Sequence, residues 1–268
     1  MELIDTHCHI HEIIQPLTPV YEKWHKGGAL SIDSVLAGAR AAGVGKMICV
    51  GTTVEDSQLA AEFVADRPEC WASAGIHPHA AQRYVHDQKS QRNFRELLSN
   101  PKIVAVGECG LDYFYGYSPK ADQLAMLRFQ IELALEHDLP LSFHVREAFD
   151  DFWPVFESYQ GVRGVLHSYT DNRNNLERAL GHGLYIGVNG IATFSNKPQQ
   201  MDMYQAIPLD RLLLETDAPF LTPVPYRGTI CEPKHVRVTA EYLAKLREVS
   251  LDVLADKTSG NARSLFGI

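Results

Sequence analysis

The chain has 268 residues, 45% of them hydrophobic and 22% charged, and its 25 Lys and Arg against 33 Asp and Glu give a formal net charge of −8 and a pI near 5.8. That length suits one large core in a single domain spanning 1–268, the apolar content excludes wholesale disorder, and the acidic balance excludes a broad basic surface. No apolar run approaches ~18 residues and no basic leader precedes the first apolar run, so we expect a soluble, cytoplasmic protein without membrane contact. Five scattered cysteines (Cys8, Cys49, Cys70, Cys109 and Cys231), never in a C-x-x-C pair, suit a reducing cytosol and suggest neither a disulfide framework nor a cysteine zinc site.

In chain order, Leu3 to His9 reads as a strand, followed by a loop to about Ala29 that contains Pro16, Pro19, Gly27 and Gly28. Ser31 and Asp33 open an amphipathic helix through Ala42, with Ser31 as its cap. A buried strand over 46–51, a helix over 55–66 and a strand over 70–75 come next, then a polar segment, 81–99, read as a solvated helix with loops. Strand four ends at Glu108. Lys120 to Asp138 carries apolar residues at three- and four-residue spacing, a helix closed by Pro140. Strands ending at His144 and His167, at Val188 and at Glu215 alternate with helices near 148–159, 172–180 and 198–206, and two helices, 234–248 and 251–265, finish the chain. Eight strands alternating with helices predict an α/β fold, a (β/α)8 TIM barrel. An open doubly wound sheet is disfavoured because G-x-G-x-x-G is missing from the first β-α turn.

Catalytic groups of such barrels stand at the carboxyl ends of strands. His7 and His9 are one residue apart, so on a strand they share a face and can close on one ion. Glu108, His144, His167 and Asp217 each end a later apolar run. Burying two carboxylates near one another without cations is costly, so the six together read as metal ligands. Four imidazoles and two carboxylates suit two divalent ions, Zn²⁺ or Mn²⁺, with Mg²⁺ less natural against so much nitrogen. Glu108, with two oxygens, is the natural bridge, and Asp217 can hold one ion and take a proton from the attacking water. Beyond them, Arg146 and Arg227 offer planar forks for phosphate, Lys197 a further cation, His77 a functional imidazole just past strand three, and Tyr113 with Phe114 rings that could stack on a base.

The motifs D-T-H-C-H, G-I-H-P-H, V-G-E-C-G-L-D-Y, H-V-R-E-A, L-H-S-Y-T, L-L-L-E-T-D-A-P-F-L and G-N-A-R-S-L-F-G, spread from Asp5 to Phe266, resemble the TatD-related deoxyribonuclease family. The resemblance implies a (β/α)8 barrel, a divalent-metal-dependent phosphodiesterase acting on DNA, 3′ to 5′ polarity on single-stranded or frayed ends, and the six ligands above. It implies no obligate protein partner. Members similar to this chain usually carry Asp at Glu147, Cys-Phe at Ser168-Tyr169 and Asn at Cys231, so the rim differs while the ligands match. Two other readings compete: a small-molecule amidohydrolase or phosphotriesterase, which commonly uses a modified lysine on strand four where this chain has Glu108, and a non-catalytic metal or nucleic-acid binding module, which a complete ligand set disfavours.

Overall fold

A computed structural model describes every residue except Leu17, Gly27, Ala29 and Asn196. The chain forms two compact units, Met1–Cys49 with Ser168–Ser264, and Val50–His167 with Leu265–Ile268. All eight strands belong to one sheet in the order β1 to β8, the (β/α)8 class that the alternation predicts.

In the first unit, β1 (Leu3–Cys8) pairs in parallel with β2 (Val44–Val50), and β7 (Tyr185–Val188) with β8 (Leu212–Leu214). Every residue of β1 is buried, as expected of a parallel strand covered on both faces. The Thr6 hydroxyl donates to the Leu214 carbonyl at 3.0 Å, tying β1 to β8. The unit's helices are α1 (Pro19–His25), α2 (Ile32–Ala41), α8 (Arg173–Gly181), α9 (Pro198–Ala206), α10 (Val236–Leu246) and most of α11 (Leu251–Phe266). Ser31 caps α2 as predicted, its hydroxyl oxygen accepting the Ser34 N–H at 3.2 Å. The segment read as an unbroken loop contains α1. Thr18 caps it, with Pro19 at the first helical position, where no backbone N–H is needed, and Trp24 is fully buried. The part of that loop reading at Gly27 and Ala29 lies outside the described residues.

The second unit holds β3 (Cys70–Ala74), β4 (Ile103–Asp112), β5 (Leu141–Arg146) and β6 (Gly164–Leu166), paired in parallel in that order. Its helices are α3 (Val54–Val64), α4 (Ala81–Tyr84), α5 (Gln88–Leu97), α6 (Lys120–Glu136) and α7 (Phe149–Phe156). The polar segment resolves into α4 and α5, separated where the Asp87 side chain caps α5. Two strands run further than the sequence indicates. β4 continues four residues past Glu108, to Asp112, and β5 two past His144, to Arg146. A register shift between Val106 and Cys109 allows the added pairing, Cys109 with Phe143 through Asp112 with Arg146. Gly110 makes the approach possible: at φ +144° it tolerates a backbone that side chains resist, and a Cβ there would collide with the His144 carbonyl oxygen.

Candidate metal centre

In the first unit, β1 presents His7 while His9 follows its last residue, and the two rings lie edge to face with centroids 5.2 Å apart. Their Nε2 atoms stand 3.7 and 3.4 Å from one oxygen, Oδ1 of Asp217. Two donors each about 2.1 Å from a shared tetrahedral ion would be about 3.4 Å apart, so these separations fit ligands of a common cation. Backbone bonds fix the carboxylate: the Asp217 N–H donates to the His7 carbonyl at 2.8 Å, and the His9 N–H to the Ala218 carbonyl at 2.8 Å. Asp217 itself is held at φ +59°, a left-handed conformation uncommon for a non-glycine residue and one often found at functional sites.

Behind this trio lies Asp5, fully buried, which accepts the Thr216 hydroxyl at 2.6 Å, the Thr216 N–H at 2.9 Å and the His7 N–H at 3.3 Å. Burial pushes its carboxyl up to about 8 despite those three bonds. Asp5 therefore fastens His7 and the residue before Asp217 to one anchor. Nearby, Glu215 accepts the Ser168 N–H at 2.6 Å, holding the turn in which Ser168 adopts φ +51°.

In the second unit three imidazoles surround Oε1 of Glu108: His144 Nδ1 at 2.7 Å, His77 Nε2 at 3.6 Å and His167 Nε2 at 3.7 Å. The Glu108 side chain is only 6% exposed. Asp112, at the end of β4, accepts from His144 Nε2 and His79 Nε2, each at 3.0 Å. A carboxylate that holds the proton of one ring nitrogen leaves the other nitrogen free to ligate. Asp112 thus leaves Nδ1 as the nitrogen that His144 turns toward Glu108. His77 is arranged the other way. Its Nδ1 accepts the His79 N–H at 3.2 Å, so the neutral ring carries its proton on Nε2, facing Glu108.

Burial and closely placed carboxylates perturb the electrostatics of this unit. Burial pushes His77 down to about 4, outweighing the attraction of Glu108. Burial also works against a charged His144, yet hydrogen bonds to Asp112 and Glu108 raise it to about 9. For Asp112, burial alone would raise the carboxyl, but the bonds from His144 and His79 hold it below the usual carboxylate range. A cation beside Glu108 would take the place of the His144 proton, so uptake of an ion by these donors should release a proton.

Of the other expected residues, Arg146 lays its guanidinium 4.0 Å from the Phe114 ring centroid. The Tyr113 hydroxyl donates to Asp151 at 2.7 Å, and Lys120 covers its ring at 3.9 Å. Arg227 donates to the Thr222 carbonyl at 2.9 Å and stacks 3.9 Å from the Phe194 centroid, while Lys197 is exposed at the start of α9. Asp5, Asp112 and Thr216 were not singled out from the sequence. The signal for Asp5 was its place two residues before His7 on the same strand. Asp112 stood in the motif V-G-E-C-G-L-D-Y, but no role followed for it from the sequence.

The family model for TatD related DNase matches residues 4–267. The chain is 36% identical over 270 residues to the metal-dependent hydrolase YcfH of Escherichia coli K12, covering 100% of this chain and 97% of that protein. It is 35% identical over 245 residues to the 3′-5′ ssDNA/RNA exonuclease TatD of Enterobacter lignolyticus, covering 88% and 93%. The crystal structure of YJJV, a TatD homologue from E. coli K12, superposes with a TM-score of 0.84 at 28% identity, covering 99% and 98%. On this full-length match the chain belongs to the TatD related DNase family and is a hydrolase acting on ester bonds.

Proposed function

We propose that the protein is a divalent-metal-dependent 3′-5′ exonuclease that hydrolyses phosphodiester bonds at single-stranded or frayed DNA ends. The observation that carries this reading is the convergence of three imidazole nitrogens on Glu108 Oε1, within 3.7 Å, in the second unit. The 3′-5′ ssDNA/RNA exonuclease named among the relatives supports the substrate class and polarity.

His7, His9 and Asp217 from the first unit and Glu108, His144 and His167 from the second are the donors we assign to two ions, Zn²⁺, Mn²⁺ or Mg²⁺. When bound, such ions supply Lewis-acid polarisation of phosphate oxygens and lower the pKa of a nucleophilic water. The chain's own groups do the rest. Asp217 accepts the proton of the attacking water at Oδ1, the oxygen its neighbouring imidazoles already address. His77, its Nδ1 accepting the His79 N–H, is assigned as a further contact at the phosphate. Arg146 adds a planar cation for a neighbouring phosphate, and Arg227 and Lys197 are further phosphate contacts. Tyr113, its hydroxyl tied to Asp151, supports that rim.

Catalysis is expected in a reducing cytosol, which suits five buried cysteines. No helix among the described residues is long and apolar enough to cross a membrane. The test is degradation of a 5′-labelled single-stranded oligonucleotide, followed on a sequencing gel. Stepwise shortening that chelator abolishes and Mn²⁺ restores is the expected result. An intact substrate under every metal would end the nuclease reading.

A further inference from the structure

Between Asp112 and Pro119 the second unit exposes a run of large rings. Phe114, Tyr115 and Tyr117 are 52%, 48% and 64% accessible. Ring surface left in water is unfavourable, so three such side chains within four residues form a patch suited to an occupant.

The patch is held in place. Asp112 Oδ1 accepts the N–H groups of Phe114 and Tyr115 at 3.0 and 3.1 Å. At the other end the Ser118 hydroxyl donates to the His79 carbonyl at 2.9 Å and accepts the Gln82 N–H at 3.1 Å, while the Gln123 amide donates to the Ser118 carbonyl at 2.9 Å. Gly116, at φ +63°, turns the chain between the two tyrosines. Their rings are parallel to within 3°, with centroids 5.5 Å apart. Tyr115 and Tyr117 both meet the His79 ring edge to face, at 5.4 and 4.8 Å. His79 binds the same Asp112 carboxylate as His144, so the rings are coupled directly to the donors around Glu108.

Charge identifies the occupant. The Arg146 guanidinium lies 4.0 Å from the Phe114 centroid and 4.9 Å from that of Tyr115, and among the described residues it forms no ion pair. Lys120 adds a second cation over neighbouring Tyr113. Flat exposed rings beside cations match a polyanion that carries its own flat rings, and a single nucleic-acid strand is such a ligand. We infer that Phe114, Tyr115 and Tyr117 form a stacking shelf for unpaired nucleobases adjoining the phosphate to be cut, with Arg146 gripping the backbone alongside. The inference rests on the nuclease reading for the identity of the reaction, but base stacking on the shelf is measurable without turnover.

The experiment compares a short single-stranded DNA oligonucleotide with one whose 3′-terminal nucleotides are abasic, the phosphates being unchanged. Binding to the full chain is measured by anisotropy in chelator, and cleavage is measured separately with Mn²⁺. The wild type should bind the normal strand roughly 5- to 150-fold more tightly, the range expected for stacking of about one base. Tyr115→Ala and Tyr117→Ala should erase most of that preference, while Tyr117→Trp, which keeps a ring, should retain it. Base-dependent binding that these alanine variants abolish, in a protein that cleaves neither strand, would leave the shelf standing and overturn the nuclease reading alone. Equal wild-type affinity for the two strands, or a preference that both alanine variants keep, would overturn the shelf even if cleavage is robust.

Discussion

The two units hold their candidate donors by different means. In the first, the carboxylate of Asp217 is 17% exposed and is positioned by the backbone, through the bond to the His7 carbonyl, a left-handed conformation and the Asp5–Thr216 anchor beside it. In the second, Glu108 is more deeply buried and is positioned by side chains, with imidazoles on several sides and Asp112 behind His144. A carboxylate crowded by imidazoles is suited to holding charge. One fixed by its own backbone and partly open to water is suited to receiving a proton. In the proposed mechanism the contrast separates binding from proton transfer, and it can be broken by mutation.

The largest effect is expected at Glu108. Glu108→Ala removes the atom on which three imidazoles converge, so elemental analysis should show loss of bound ion and oligonucleotide cleavage should fall to background together. Full ion content in that variant would move the centre of the second donor set elsewhere. For the wild type, two ions per chain at saturation are expected.

Asp217→Asn keeps an oxygen and a side chain that tolerates φ +59°, but it removes the proposed proton acceptor. We expect kcat to fall by about 10² to 10⁴ while part of the metal stays bound. A near-normal rate would place the proton acceptor on another group and erase the contrast between the two carboxylates.

A smaller effect is expected one step back from the donors. Asp112→Asn frees the ring of His144 to change tautomer and should cost about 10- to 100-fold in metal affinity or activity. His144 bears both effects, so an Asp112→Asn enzyme with unchanged metal affinity and unchanged rate would show that β5 alone positions that ring.

The smallest effect concerns phosphate contacts. Arg146→Ala should keep its metal and raise KM, without the collapse of kcat expected at Asp217. If only two or three phosphates are neutralised, log affinity for single-stranded DNA should fall against log salt with a slope of about −1.4 to −2.1, near −0.7 per contact. A slope steeper than about −5 would require an extended phosphate track that a chain of net charge −8 does not offer.

Much of this arrangement was legible in the residues. His7 and His9 do reach one carboxylate oxygen as expected, although β1 ends at Cys8 and His9 stands just past it, and apolar runs located all eight strands. The ends of β4 and β5 were not legible, because a register shift extends their pairing and local composition carries no mark of it. Asp112 was given no role for that reason, since its bonds to His144 and His79 depend on β4 running on past Glu108. Helix α1 was hidden by the Pro and Gly residues around it, although Thr18 followed by Pro19 is a start signal that outweighs them locally. Asp5 shows the opposite limit. Its place on the strand was plain, but its partner Thr216 lies 211 residues away, and no local pattern reports a contact of that kind.

Gly110 bears on how a mutational scan of this protein should be interpreted. Any side chain there would strike the backbone of His144 and force β4 and β5 apart at the point where that imidazole is carried. A library screened for activity should therefore find position 110 as intolerant as the donors themselves, although glycine performs no chemistry. A screen for solubility or protease resistance run beside it should tell the two apart. Substitutions at Gly110 should fail both screens, whereas Asp217→Asn should fail only the first.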